Sequence, residues 1–375
     1  FLWRPFALFP LVDAVDRGVV LQGLLTAVLR PSLPTAPGIG LDAPAAGTGK
    51  TLLAKAIGAL CLGYPPEILP PVGDKDDEVR KRLFSVLRDG RRVLLWDNVR
   101  DPLGSAALDA FLTAPSFTDR VLGASQTASL PNRALFLATG NNLRLVGDTC
   151  RRLLLARLDA RVEKPYSREF SFCALQQVLD QRLALVVAAL TLMRAWIAAG
   201  RPRHGQGNTG SFEDWDSLVR QPVCWIATWN ELFDDPLQAT ERAYEQDPDS
   251  AKLGALLEAL DGVVGDAPFT TASLINRVAY FDPRTSPPMP VPLQALQALP
   301  ALHDALMDIA GVRDAINPRI LGGWLAKQAD RRQGGRWLTR GKVAQGRQAW
   351  RLVREPAVGG LGGLGGSETA DRQSA

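Results

Sequence analysis

The chain has 375 residues, 46% of them hydrophobic and 22% charged, with a net charge of +4 at neutral pH. This composition fits a folded protein of two or three domains, and its charge is too balanced to single out a partner. Four scattered cysteines (Cys61, Cys150, Cys173, Cys224) and two histidines (His204, His303) have no metal-ligand spacing, which argues against a zinc site or histidine-triad chemistry and for reduced thiols in the cytoplasm.

The chain begins FLWRPFALFP without Met, as a piece of a longer polypeptide would. Phe6 to Leu29 reads as a helix that ends at Arg30-Pro31, and Pro34 and Pro37 mark the loop before the first strand. Gly38 to Leu41 is a short apolar lead-in to LDAPAAGTGKTLL, which closes on Gly47-Thr48-Gly49-Lys50-Thr51. A phosphate needs backbone N–H groups that converge on it, and only small residues allow so close an approach. Gly47 and Gly49 supply that clearance, Lys50 can reach the β- and γ-phosphates, and the Thr51 hydroxyl can ligate Mg²⁺ while opening a helix to Leu62. The nucleotide-binding set is therefore Ala46, Gly47, Thr48, Gly49, Lys50, Thr51 and Leu52. Pro44 stands where the full pattern has glycine.

Val79 to Leu87 is helical in pattern, with an acidic start that suits a helix N-terminus. Arg92 to Trp96 is a continuous apolar run, as in a strand buried on both faces, and it ends in Asp97-Asn98. A carboxylate there is placed to hold Mg²⁺ with Thr51. Asn98 cannot act as a general base, and Glu78 or Asp101 is available as a substitute. Ser105 to Leu112 reads as a helix. Ala134 to Ala138 reads as a third core strand, ending in Thr139-Gly140-Asn141-Asn142, where an amide can orient water or meet the γ-phosphate. Arg151 and Arg152 precede the apolar run Leu153 to Leu155. They are either surface charges or the cations that neutralise developing charge in phosphoryl transfer, in cis or from a neighbouring subunit.

Taken together, APAAGTGKT, VLLWDN, LFLATGNN and GDTCRRLLLARLD resemble the ATPase domain of phage- and mobile-element-encoded primase-helicase proteins, which are similar to AAA+ and superfamily 3 helicase ATPases. The resemblance runs from about Phe6 to Phe170. It implies an α/β P-loop NTPase core that binds ATP and Mg²⁺, with Lys50 and Thr51 as the Walker A pair, Asp97 as the Walker B aspartate, Asn141 as the sensor asparagine and Arg151 or Arg152 as an arginine finger. It also implies a homo-oligomeric ring, a hexamer, with ATP between subunits. Asn98 departs from the pattern at the position where many such ATPases have glutamate.

Glu169 to Ala199 reads as one or two helices; its apolar run from Leu183 reads as a buried helix, not a membrane span. Trp215, Trp225 and Trp229 fall near helical spacing and read as core. Ala251 to Val264 and Ala301 to Ile309 are further helices, and PRTSPPMPVP at 283–292 is a connector. From Asn317 to Val353 a helix is followed by two short strands around a basic loop, the outline of a winged helix. Between Arg313 and Arg354 the local surplus is +9, an electrostatic footprint of phosphate binding. Arg319, Arg331, Arg332, Arg336, Arg340 and Lys342 are the candidates to bind DNA, as a single strand. The expected domains are an ATPase core at 1–165, a helical region at 166–265, a basic winged-helix-like domain at 266–355 and a disordered Gly-rich tail at 356–375. Helicase action, ATP hydrolysis coupled to movement on DNA, is what the resemblance together with the basic module implies; a nucleotide-gated DNA-binding module with little turnover is the alternative that Asn98 motivates.

Overall fold

Alternating helices and apolar strands dictate the architecture of the first half. The computed structural model describes residues 1–72, 75–121, 126–207, 209–279, 293–343 and 348–355; the proline-rich connector from 283 to 292 and the tail from 356 lie outside the described residues. The chain forms two units, Phe1–Ser250 and Ala251–Ala375. The helical segment after residue 166 therefore belongs with the nucleotide-loop domain, and the division falls some fifteen residues before the one read at 265.

In the first unit, helix α1 (Ala14–Leu29) opens on a reciprocal cap, the Asp13 carboxylate accepting the Asp16 N–H and Asp16 accepting the Asp13 N–H. Burial raises the Asp16 carboxyl to about 6, opposed by a bond from the Arg157 N–H. Strand β1 (Gly38–Ala43) leads into α2 (Lys50–Leu62), which is followed by β2 (Ile68–Leu69), α3 (Asp76–Arg88) and β3 (Val93–Val99). Then come α4 (Ala106–Thr113), the antiparallel hairpin β4 (Ser116–Arg120) and β5 (Thr127–Pro131), β6 (Leu135–Asn141) and β7 (Leu153–Arg157). The main sheet is parallel, in the order β2-β3-β6-β1-β7. β1 and the amino-terminal half of β3 are buried throughout, as parallel strands covered on both faces must be. Trp96 and Phe136 pack edge to face within this core, at 5.1 Å between ring centroids. The β4–β5 hairpin has no counterpart in the sequence reading; its alternation of buried and exposed residues runs through polar side chains.

Two helices, α5 (Ala174–Asp180) and α6 (Arg182–Ala198), pack beside α2. α6 is half-buried, its face at Leu183, Val187 and Leu190 being exposed. Among the described residues no single helix is long and apolar enough to cross a membrane; α5 and α6 reach that length only together and bend by 84° at their break. Next come α7 (Glu213–Trp215), a π-helical turn at Asp216–Arg220, α8 (Gln221–Ala227) and α9 (Gln238–Glu245). Trp215 is core, but Trp229 is exposed, because α8 ends at Ala227 and the helical spacing that pairs the tryptophans does not continue. The Arg220 guanidinium, 1% exposed, joins Asp216 at 2.8 Å and Asp235 at 2.6 Å.

The second unit contains all but the first turn of α10 (Pro248–Val263), then β8 (Phe269–Thr270), α11 (Thr271–Ala279), α12 (Leu293–Ala310), a small ribbon of β9 (Gly311–Val312) and β10 (Ala315–Ile316), α13 (Pro318–Gln328), β11 (Arg336–Arg340) and β12 (Ala349–Arg354). An antiparallel sheet in the order β11-β12-β8 closes over Leu256, Leu260, Leu302, Leu321, Leu325, Leu338 and Trp350. Asn317 caps α13 by accepting the Arg319 and Ile320 N–H groups, with Pro318 at the first helical position.

A candidate nucleotide-binding site

The three strand ends that matter lie on one edge. β1 runs into the loop at residues 44–49, Asp97 lies near the carboxyl end of β3, and β6 ends at Asn141, so three parallel strands deliver their functional residues to the carboxyl edge, where open α/β sheets bind ligands. Gly47 and Gly49 adopt left-handed φ of 81° and 99°. A Cβ on Gly47 would stand 2.9 Å from Cβ of Tyr166, so both the conformation and the space demand glycine. Pro44 sits exposed at the end of β1, and the positive-φ positions of the loop are Gly47 and Gly49 alone, so proline's fixed φ costs the loop nothing at 44.

Lys50 is largely buried as the first residue of α2. Its Nζ donates to Asn141 Oδ1 at 2.7 Å, to the Ala45 carbonyl at 3.1 Å and to Thr48 Oγ1 at 3.3 Å. Burial lowers its pKa, partly offset by the charges of Asp42 and Asp97. The Thr51 hydroxyl donates to Asp97 Oδ1 at 2.7 Å, and Thr139 Oγ1 donates to the same oxygen at 2.6 Å. Asp42, buried in β1, accepts Leu143 N–H at 2.7 Å and pairs with Arg157 at 2.5 Å, tying the start of the loop to β7. Around these groups lies a cavity of about 420 Å³ lined by Ala46, Gly47, Gly49, Lys50, Thr51, Leu52, Asp97, Asn98, Thr139, Gly140 and Asn141. Thr48 is buried beneath the loop.

The donor set suits a magnesium–nucleotide pair. No cluster of three or more His, Cys, Asp or Glu able to hold a metal by itself exists among the described residues. Thr51 and Asp97 are hard oxygen donors side by side, and Mg²⁺ is commonly held by one or two such groups together with substrate phosphates.

A second cavity, about 330 Å³, adjoins the loop at Gly47–Gly49 and is walled by Pro5, Leu8, Phe9, Leu52, Phe170, Phe172 and Cys173. The sequence reading missed it, since its aromatic residues come from segments some 160 positions apart and no local spacing joins them. Thr139 stands in the sequence as part of the Thr-Gly-Asn-Asn strand end but is given no role there, because its bond to Asp97 is made across strands.

Asn98 takes a left-handed φ of 62°, at a register shift between Trp96 and Val99 where β3 pairs with β6. Asparagine tolerates that region far better than glutamate or alanine, which gives a backbone reason for its presence. Asn98→Ala is expected to cost about 1 kcal/mol in urea unfolding, and Asn98→Gly close to nothing; equal losses in both variants would remove this explanation.

Arg151 and Arg152 lie elsewhere. They precede β7, and the Arg152 carbonyl accepts Gly38 N–H at the start of β1, which places them at the amino edge of the sheet. Six residues of strand, roughly 17–20 Å, separate that edge from the loop of the same chain. Arg151 pairs with Asp148 at 2.5 Å; Arg152 pairs with Asp148 and lies 3.8 Å from Asp109. Glu78 pairs with Lys81, and Asp101 is exposed; neither lines the 420 Å³ cavity.

In the second unit, Arg336 and Arg354 both turn to Asp261, and Arg354 also meets Asp266. Arg332 stacks over Trp337 at 4.4 Å and pairs with Glu355. Arg331 donates to Gln328, and Arg319 is exposed on the first turn of α13. The surplus counted between Arg313 and Arg354 is thus partly neutralised by acids outside that window. Arg340, Lys342 and Arg351 have no carboxylate partner among the described residues; with Thr270, Ser273 and Thr339 they line a groove of about 700 Å³.

No protein-family model matches this chain, and no curated protein does. Among solved structures it is similar to the apo A form of the NrS-1 C-terminal region, at 14% identity over 91% of this chain and 75% of that one, with a TM-score of 0.34. It is similar also to the A form of that region bounded as 305–718, at 12% identity over 90% and 75%, with a TM-score of 0.35.

Proposed function

We propose that the chain binds ATP with Mg²⁺ and couples its hydrolysis to movement on DNA, as the helicase module of a phage or mobile-element replication protein. The observation that carries this reading is the meeting of Lys50, Thr51, Asp97 and Asn141 around one cavity at the carboxyl edge of the sheet. Gly47 and Gly49 allow the loop's N–H groups to surround the phosphates, and Lys50 can exchange its neutral acceptors for phosphate oxygens. Thr51 and Asp97 would hold Mg²⁺, whose charge offsets that of the phosphates. Asn141, within reach of Lys50, is placed to orient water at the γ-phosphate. The aromatic cavity on the other side of the loop suits the base, which stacks on apolar walls. Arg151 and Arg152, at the far edge, fit a ring in which one subunit's arginines serve its neighbour's nucleotide.

The second unit, with a helix, a β-hairpin and a strand completing the sheet, has the outline of a winged helix and supports binding of DNA, as a single strand in this reading. Arg340, Lys342 and Arg351 are its most available cations. Replacing all three by alanine is expected to weaken single-stranded DNA binding at least tenfold near 0.1 M salt and to flatten the log–log salt slope by about 2, since each phosphate contact on a single strand contributes about 0.7. An unchanged slope in fluorescence anisotropy would remove the groove from the interface.

The alternative, a nucleotide-gated DNA-binding module with little turnover, is favoured by Asn98, which offers no base beside Asp97. Phosphate release with and without single-stranded DNA separates the two. DNA-stimulated release supports a motor; nucleotide-dependent DNA binding without release supports the switch.

A further inference from the structure

Thr139 stands two residues before Asn141 on β6, so the two side chains leave the strand on the same face. It is 1% exposed, and its one hydroxyl makes two bonds of different kinds. Oγ1 donates to Asp97 Oδ1 at 2.6 Å and accepts the Asn98 N–H at 3.1 Å. The second bond falls where the β3–β6 register shifts and where Asn98 takes its left-handed φ. A hydroxyl can serve both ways at once, having one donor proton and two acceptor lone pairs.

Asp97 Oδ1 accepts from Thr51 as well, at 2.7 Å. The two donors are not equivalent. Both line the cavity, but Thr51 belongs to the first turn of α2 and is half-buried, whereas Thr139 lies on β6 and is almost wholly buried. A cation that recruits the Thr51 oxygen competes with the Thr51–Asp97 bond, and Thr139 is then the side-chain donor that keeps the carboxylate aimed.

We propose that Thr139 is a positioning residue for metal-dependent nucleotide binding. It orients the Asp97 carboxylate toward Thr51 and pins the Asn98 N–H at the register shift between β3 and β6. This rests on the nucleotide reading above and adds to it a residue in which one oxygen sets two neighbouring positions.

Thr139→Val removes the hydroxyl at nearly constant shape, Thr139→Ala removes it if valine does not pack, and Thr139→Ser keeps it. Each is compared with wild type by thermal melting, by titration of a fluorescent N-methylanthraniloyl ATP in EDTA and across a Mg²⁺ series, and by amide exchange of the peptide containing Asn98. In EDTA the hydroxyl-deleted variant is expected to bind within twofold of wild type. The Mg²⁺ concentration giving half the tightening should rise about tenfold, the effect of losing one hydrogen bond to a charged group. Asn98 exchange should quicken about tenfold, and Thr139→Ser should restore both readouts to within threefold.

A folded Thr139→Val or Thr139→Ala protein with wild-type Mg²⁺ dependence overturns the positioning role even if Asn98 exchange changes, because the hydroxyl would then only satisfy a buried N–H. Failure of Thr139→Ser to restore the Mg²⁺ dependence overturns it too. A wild-type protein whose nucleotide affinity ignores Mg²⁺ overturns the metal reading of Thr51 and Asp97, and Thr139 falls with it; the wild-type titration alone identifies that case.

Discussion

Lys50→Ala is expected to weaken nucleotide binding at least a hundredfold, about 2.7 kcal/mol, while leaving the fold at least as stable. The first half follows from geometry: Lys50 is the one cationic side chain lining the cavity among the described residues, and its ammonium reaches both the loop and Asn141. The second follows from its titration. Burial lowers the Lys50 pKa below its value in an unfolded chain. The unfolded state therefore binds the proton more tightly, and the charged lysine costs stability at neutral pH, a cost that disappears as pH rises through the unfolded value. Removing the charge relieves that cost, and Lys50→Met keeps most of the volume as a control. Titration with fluorescent ATP, with melting curves at pH 7 and above the unfolded lysine value, at about pH 11, checks both halves. Normal nucleotide affinity in a folded Lys50→Ala protein would falsify the site.

The largest stability effect is expected from Arg220→Ala. Its guanidinium sits between Asp216 and Asp235, contributing Nη1 to the first, Nε and Nη2 to the second, and a further bond to the Gln206 carbonyl at 2.5 Å. Deleting it leaves a buried Asp216 held, among the described residues, by Arg203 and Gln221, and leaves Asp235 without this cation. Breaking a buried pair from one side costs about 3–5 kcal/mol. In a unit of 250 residues that corresponds to a fall of about 10 °C in the first unit's melting temperature. The double variant Arg220→Ala, Asp235→Ala should recover part of the loss by removing one stranded carboxylate. A fall of less than 2 °C would show that water already reaches this cluster.

Much of the candidate site's geometry was legible because its residues announce themselves locally. A Gly-Thr-Gly-Lys-Thr turn between an apolar run and a helix has few other uses, and RVLLW and ALFLA are strands by composition, so Asp97 and Asn141 follow from where those strands stop. What stayed hidden depends on pairing across the chain. The aromatic cavity joins Phe9 to Phe170 and Phe172, and Arg336 and Arg354 find Asp261, roughly 75 and 93 positions away. Asn98 read as a missing base until its backbone conformation gave it a second explanation. Arg151 and Arg152 read correctly as the start of a strand, but which edge of the sheet that start occupies is a property of topology, invisible in spacing.

The place of β6 between β1 and β3 has a consequence for how the protein can fail. Its neighbours lie about 5 Å to either side, so it acts as a ruler that keeps the Lys50 half and the Asp97 half of the site a fixed width apart. Thr139 meets one half and Asn141 the other, with Gly140 between them facing away. Slippage of β6 by a single residue would put Gly140 at one of these two positions and Ala138 or Asn142 at the other, because each position is taken over by its chain neighbour. Such a molecule would keep its sheet, its helices and most of its apolar burial, yet it would have lost the Thr139 contact to Asp97 and, in one direction of slip, the Asn141 contact to Lys50 as well, and with them the proposed grip on a nucleotide. Correct folding and competence to bind are therefore separate outcomes for this chain, and a ligand present during refolding would act as the proofreader between them.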